Sequence, residues 1–130
     1  MLYLIDSDIL IDHLEGEPAA TIVLGRLLPS DVAVGVVTYM EVYQGTFRTP
    51  DPASAMRRLE TFLVRVPILD FTPPIARRCA QLREILRLRG NRVRPRHLDL
   101  INAATAIEHD LSFVTRNRVD YDDIPGLRLQ

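Results

Sequence analysis

Short apolar runs that end near carboxylates, with helical segments between them, restrict the fold of this chain more than any other feature. The runs cover residues 2–5, 32–37, 67–69 and 111–115, and a weaker one lies at 127–129. The first run lacks polar alternation, which is typical of a strand buried on both faces of a sheet. The pattern predicts an α/β domain with a mostly parallel sheet of four to five strands.

The segments between the runs carry apolar residues at helical spacing. The predicted helices cover residues 9–16, 18–28, 38–46, 53–65, 73–89 and 98–109. Thr38 and Glu41 fit the capping-box pattern, which places a helix start at Thr38. Gly90 is expected to end the fifth helix, and residues 91–96 form a basic loop. At 130 residues the chain has the length of one domain, so we assign residues 1–130 to a single unit.

All sixteen basic residues are arginine, which removes several enzyme classes. A P-loop, a protein kinase and a Schiff-base enzyme each need a lysine. The charges are also unevenly distributed, with five acids and no base in residues 6–17, and eight arginines against one acid in residues 77–96. This distribution indicates either a metal site beside a polyanion-binding surface or two solvated helix faces.

The sequence predicts a cytoplasmic protein without a membrane segment. The longest uncharged apolar stretch, residues 32–40, is too short to span a bilayer. Asp6 and Asp8 interrupt the region where a signal peptide needs an apolar core. The single cysteine, Cys79, is expected to be a small core residue.

Four acids are predicted to converge at one edge of the sheet. Asp6 follows the first strand, Glu41 follows the second, and Asp99 opens the helix that leads into the fourth. Asp120 follows that fourth strand. Parallel strands end at a common edge, where carboxylates held close together repel one another unless a cation lies between them. Oxygen ligands favour Mg²⁺ or Mn²⁺, whereas the lack of ligand spacing among the three histidines argues against zinc.

Each of these acids also has a purely structural interpretation. Asp6 could cap the following helix, and Glu41 could be the partner of Thr38 in a capping box. Asp99 could simply favour a helix N-terminus, and Asp120 could belong to an ordinary turn with Asn117. The positions of the four acids as a set, rather than any one of them, favour a metal site.

At these residues the sequence resembles the PIN-domain nucleases, and within them the VapC-type toxin ribonucleases of toxin–antitoxin pairs. Four motifs resemble those of the family and occur in its order along nearly the whole chain. They are LIDSDILI at residues 4–11, TYMEVYQG at 38–45, DLINAATA at 99–106, and VTRNRVDY at 114–121 followed by IPGL at 124–127.

The resemblance implies a three-layer α/β/α sandwich and an Mg²⁺- or Mn²⁺-dependent endoribonuclease, the toxin of a type II system. It also implies a homodimer and a cognate antitoxin that blocks the site. Asp6, Glu41 and Asp99 are the implied metal ligands, with Asp120 as a fourth catalytic residue that acts through water. The chain departs from the usual family pattern at Asp8, at Asn102 and in the ambiguous choice between Asn117 and Asp120.

Further residues are assigned to the substrate. Ser7, Asp8, Thr115 and Asn117 are predicted to contact metal-bound water or the scissile phosphate. Six arginines are predicted to contact flanking RNA phosphates. They are Arg83, Arg87, Arg89, Arg92, Arg94 and Arg96. Because sequence-specific ribonucleases usually read exposed loops of folded RNA, a tRNA or rRNA loop is the expected substrate.

Two other functions remain open on the sequence. The acids after the first strand also resemble those of an aspartate-based phosphatase or phosphoacceptor domain, although such proteins use a lysine that this chain lacks. A nuclease-like fold could also serve only as an RNA- or protein-binding module. Metal-dependent RNA cleavage that is lost on mutating Asp6 separates the three functions.

Overall fold

Four short parallel strands and six helices form the architecture of the computed structural model, which describes residues 1–27 and 29–130. The strands are β1 (Tyr3–Ile5), β2 (Val32–Gly35), β3 (Ile68–Leu69) and β4 (Ser112–Val114). The helices are α1 (Ser7–Leu14), α2 (Pro18–Gly25), α3 (Val36–Thr46), α4 (Pro52–Leu63), α5 (Pro73–Leu88) and α6 (His97–Glu108). Leu28, the predicted end of the second helix, lies outside the described residues.

The sheet has the strand order β3-β2-β1-β4, and all its pairings are parallel. Tyr3 pairs with Val32 on one side and with Ser112 on the other, so β1 is a central strand. The weak fifth run contributes only a parallel bridge between Phe113 and Leu129. The predicted sheet of four to five strands is therefore confirmed.

Alternate residues of each strand face opposite layers of the molecule. Leu4, Ala33 and Phe113 pack with α5 and α6, whereas Ile5 and Val114 pack with the layer that includes α1, α2 and α4. Both faces of the sheet are thus covered, as the uniformly apolar runs predict. The result is the expected three-layer α/β/α arrangement, and Cys79 lies in its core as predicted.

The predicted boundary between the second strand and the third helix is wrong. Val36 and Val37 favour a strand by residue type, yet α3 begins at Val36, with Gly35 as its N-cap. Thr38 is consequently inside the helix, fully buried, and its hydroxyl donates to the carbonyl of Ile5 over 3.5 Å. No capping box forms, and Glu41 lies on the second turn of α3.

No helix in the described part of the chain combines the length and the apolar character that a membrane crossing needs.

The end of α5 depends on a glycine in the left-handed region. Gly90 has a φ of +75°, its amide donates to the carbonyl of Arg87, and the Asn91 amide donates to that of Leu86. These two bonds form a Schellman motif, which needs a left-handed residue at this position. Gly45, in contrast, lies inside α3 with open space where a Cβ would stand.

The two glycines should respond oppositely to the same substitution. Gly90→Ala is expected to lower the free energy of unfolding by about 1 kcal/mol, because a Cβ is strained at positive φ. Gly45→Ala is expected to raise it by about 0.5–1 kcal/mol, because alanine loses less backbone entropy in a helix. Urea unfolding of both variants measures the difference, and equal shifts of the same sign would contradict this account.

Candidate active site

The predicted acids surround the end of the central strand. Asp6 directly follows β1, Glu41 lies on α3, and Asp99 lies in the first turn of α6. The charges of Asp6 and Asp99 both raise the pKa of Glu41, and that of Asp99 raises the pKa of Asp6. The structure therefore brings together the three acids that the strand ends predicted.

Asp6 is the most buried of these carboxylates, with 4% of the residue exposed. Its Oδ1 accepts a hydrogen bond from the Ser7 amide at 2.8 Å, and its Oδ2 accepts one from the Thr115 hydroxyl at 2.7 Å. Burial raises the pKa of Asp6 to about 6 in spite of these bonds. Asp6 does cap α1, but the cap alone does not explain a carboxylate held at this cost.

Glu41 is half-buried beside the same strand end. Burial raises the pKa of its carboxyl, and a hydrogen bond from the Ser7 hydroxyl acts in the opposite direction. Ser7 itself is buried in the first turn of α1. Since Glu41 takes no part in capping α3, the structural interpretation of this residue no longer applies.

Asp99 has a partner that the sequence did not single out. Its Oδ1 accepts a hydrogen bond from the hydroxyl of Tyr121 at 2.9 Å, and the Tyr121 ring packs against Phe113. Burial raises the pKa of the Tyr121 phenol, as do the nearby carboxylates, so the hydroxyl remains a donor. The position of Tyr121 directly after Asp120 indicated that it lies near the site. The sequence could not predict that its hydroxyl donates to Asp99.

Asp120 lies in a 3₁₀ turn, Arg118–Asp120, that follows β4. Its charge raises the pKa of Asp99. The side-chain amide of Asn117 donates to a carboxylate oxygen of Asp8, an exposed residue on the first turn of α1 whose charge adds to the effect of burial in raising the pKa of all three acids. Asp120 thus acts on Asp99 through its own charge, whereas Asn117 reaches the acids through Asp8.

Thr115 joins the end of β4 to Asp6. Its buried hydroxyl donates to Asp6 and accepts a hydrogen bond from the backbone amide of Asn117 at 3.0 Å. The adjacent Arg116 connects the loop after β4 to α1 and to the start of α2, through ion pairs with Asp12 and Glu17. Sequence reasoning missed this ion-pair cluster, in which two acids of residues 6–17 serve a structural purpose.

Asn102 shares a helix with Asp99 but faces inward. It is 1% exposed, and its Oδ1 finds no hydrogen-bond donor among the described residues. A Cβ added to Gly35 would lie 3.1 Å from that oxygen, so the absence of a side chain at the end of β2 accommodates Asn102.

The donor set suits a hard divalent cation. Asp6, Glu41 and Asp99 supply oxygen only, and each has its pKa raised by burial, which a nearby cation would offset. Across residues 1–27 and 29–130, no three His, Cys, Asp or Glu side chains already enclose a metal position. The three acids therefore lie within electrostatic reach of one another but do not form a closed ligand group among the described residues.

The predicted basic surface is only partly as expected. Arg83 and Arg87 line a surface cavity of about 250 Å³ together with Val93, and Arg87 also pairs with Glu84. Arg89, Arg92 and Arg94 are exposed. Arg96 is the exception, since it is buried and its guanidinium is bound to Asp123, so the prediction that it contacts RNA is wrong.

Comparisons with known proteins identify the family and agree with the fold. A family model described as PIN domain matches residues 3–127. The chain is 32% identical over 127 residues to Ribonuclease VapC19 of Mycobacterium tuberculosis, with 96% of each chain covered. It is 27% identical over 128 residues to the tRNA(fMet)-specific endonuclease VapC of Shigella flexneri, covering 98% of this chain and 96% of that one. The solved DNA-bound VapBC of Salmonella typhimurium superimposes with a TM-score of 0.88 at 27% identity, covering 100% and 98% of the two chains.

The pKa of Asp6 gives a pH-dependent test in chelator. The folded value is about 6 against 3.8 for the free group, so stability falls as the pH rises from about 4 to about 6. Asp6→Asn is therefore expected to raise the metal-free free energy of unfolding near pH 7, by up to about 3 kcal/mol, and to have little effect near pH 4. Thermal unfolding at both values measures this. Asp70→Asn, at an exposed acid directly after β3, is the matched control. A variant that melts below wild type at both pH values would mean that the cap outweighs the repulsion.

Proposed function

The chain belongs to the PIN-domain family and, within it, to the VapC ribonucleases, and on this premise we propose that it is a divalent-metal-dependent endoribonuclease acting as the toxin of a toxin–antitoxin pair. The observation that carries the proposal is the burial of Asp6 beside Glu41 and Asp99. Partial burial of three carboxylates near one another lowers the stability of the metal-free fold. A function that needs a bound cation explains why they are present.

Asp6, Glu41 and Asp99 would hold Mg²⁺ or Mn²⁺, with Asp120 acting through water. When bound, such an ion polarises the phosphate and lowers the pKa of a bound water molecule. Thr115 and the Ser7 amide fix the orientation of Asp6, and Tyr121 fixes that of Asp99. The Ser7 hydroxyl is engaged by Glu41 and that of Thr115 by Asp6, so both hydroxyls orient the acids.

The remaining arginines support an RNA surface next to this site. Arg92 and Arg94 lie between Asn91 and Arg96, both of which are bonded to Asp123. Asp123 in turn lies two residues after Tyr121, which touches Asp99. The two exposed guanidinium groups are thus attached to the rim of the acidic site, where flanking phosphates of a bound RNA loop would pass. The named activity of the Shigella relative makes a tRNA loop the substrate to test first.

Exposed apolar surfaces support the two protein partners. Met40, Tyr43 and Phe47 form an exposed apolar stripe along α3, which suits a homodimer contact. A separate apolar groove of about 700 Å³, lined by residues that include Leu24, Val32 and Phe62, suits a segment of the cognate antitoxin. The Salmonella structure contains such a toxin–antitoxin complex.

Cleavage of tRNA by single-residue variants tests the proposal and the ranking of its acids. Wild type should cut with Mg²⁺ and not in chelator, and Asp6→Asn should be inactive. Asp120→Asn should retain activity reduced by about 10–100-fold, the usual effect of losing a group that acts through water. Asp70→Asn is the control that should cut like wild type.

The other outcomes separate the alternatives. RNA binding without cleavage would favour the alternative in which the fold serves only as a binding module. Hydrolysis of a small phosphate ester with RNA left intact would favour an aspartate-based phosphatase. If Asp120→Asn is as inactive as Asp6→Asn, then Asp120 binds the metal directly.

The salt dependence of RNA binding tests the basic surface. Replacing Arg92 and Arg94 by glutamine should weaken RNA binding in chelator and reduce the slope of log K against log salt by about 1.4, since each lost phosphate contact removes about 0.7. The control removes two exposed arginines from the opposite layer, Arg26 and Arg57. If both double variants change the slope equally, the effect is one of net charge rather than of this surface.

A further inference from the structure

Arg96 makes four hydrogen bonds through its two terminal nitrogens, although only 5% of its surface is exposed. Its Nη2 and Nη1 bind the two carboxylate oxygens of Asp123 at 2.6 and 2.9 Å. Nη2 also donates to the backbone carbonyl of Asp120 at 2.8 Å, and Nη1 donates to that of Arg92 at 3.1 Å. The guanidinium thus connects the loop before α6 to the turn after β4.

This connection closes a ring of contacts around Asp99. Arg96 lies three residues before Asp99 along the chain, and Tyr121 donates its hydroxyl to Asp99. Two residues after Tyr121, Asp123 returns to Arg96. Two covalent segments and two polar contacts therefore form a closed loop, and Asn91 strengthens it by donating to Asp123 at 3.1 Å.

Stability alone is a weak explanation for such a pair. Burying the Arg96 guanidinium costs desolvation that its attraction to Asp123, whose side chain is 30% exposed, can only partly offset, and apolar replacements of such pairs are frequently as stable. In addition, Nε of Arg96 is buried with no hydrogen-bond acceptor among the described residues, which adds a further cost. A role in geometry accounts better for the placement of the pair beside two site acids.

We propose that Arg96 and Asp123 form a clamp that positions Asp99 and Asp120 for the metal ion. This inference rests on the proposed metal-dependent function and assigns Arg96 as a positioning residue. The fork of the guanidinium holds the carbonyl of Asp120 and the side chain of Asp123 at once, which fixes the turn against the start of α6. Without it, Tyr121 and Asp120 lose their fixed distance from Asp99.

Metal affinity measured without RNA tests the clamp. Mn²⁺ is titrated calorimetrically into wild type and Arg96→Met, and the variant should bind about 10-fold more weakly. Arg128→Met is the matched control, because Arg128 likewise bonds a carboxylate and a carbonyl, both of Asp110, at an exposed position. Its affinity should equal that of wild type.

Further variants separate positioning from a general loss of stability. Leu59→Ala removes a buried side chain in the opposite layer and should lower stability while leaving Mn²⁺ affinity unchanged. Arg96→Lys retains the charge but not the two-pronged geometry, so it should restore only part of the lost affinity. Asp123→Asn, which keeps the volume, serves if Arg96→Met does not fold, and it should also weaken Mn²⁺ binding.

The outcomes are distinguishable from a failure of the proposed function. If wild type itself binds no Mn²⁺, the metal-dependent function is wrong and the clamp with it. If wild type binds and Arg96→Met binds equally well, the clamp proposal alone is overturned. Full affinity in Arg96→Lys, or an equal loss in Leu59→Ala, would also contradict it. The first result would mean that the two-pronged contact is not needed, and the second that the affinity simply follows stability.

Discussion

The burial of Asp6 at the end of β1 is the constraint on which the rest of the site depends. A central parallel strand is covered by neighbours on both sides, so the residue that follows it is shielded from water. A carboxylate there needs donors, and the Ser7 amide and the Thr115 hydroxyl supply them from the two elements that flank it. These bonds do not fully compensate its burial, and the pKa of Asp6 remains raised. On the proposed function, a bound cation would offset the rest of this electrostatic cost.

The sequence predicted the strands and the edge of the site well because burial and chain direction produce local patterns in the sequence. Apolar runs without alternation marked β1 and β4, and the rule that parallel strands end at a common edge placed Asp6, Glu41 and Asp99 together. The start of α3 was mispredicted because Val36 and Val37 favour a strand by residue type, while the packing of Thr38 under Ile5 favours a helix. Tertiary contacts overrode a local preference that was itself weak.

Side-chain partners were less predictable than positions. Arg96 belongs to a run of arginines that look equivalent in the sequence, and only the return of the chain at Asp123 distinguishes it from Arg92 and Arg94. Tyr121 could be placed near the site, but not its hydroxyl on Asp99. Both depend on segments more than twenty residues apart, whose approach is set by packing rather than by any local pattern.

Thr115 and Asp6 are joined by a hydrogen bond across 109 positions of the chain, and Tyr121 reaches back to Asp99 across 22. Because the chain is synthesised from its N-terminus, these separations along the chain determine when each contact can form. A nascent chain that has not yet emerged as far as Thr115 lacks both contacts, and one that has not reached Tyr121 lacks the second, so the acidic edge is fully supported only after residue 121 has left the ribosome. On the proposed function, the chain would therefore hold no fully supported metal site while it is being made up to residue 121.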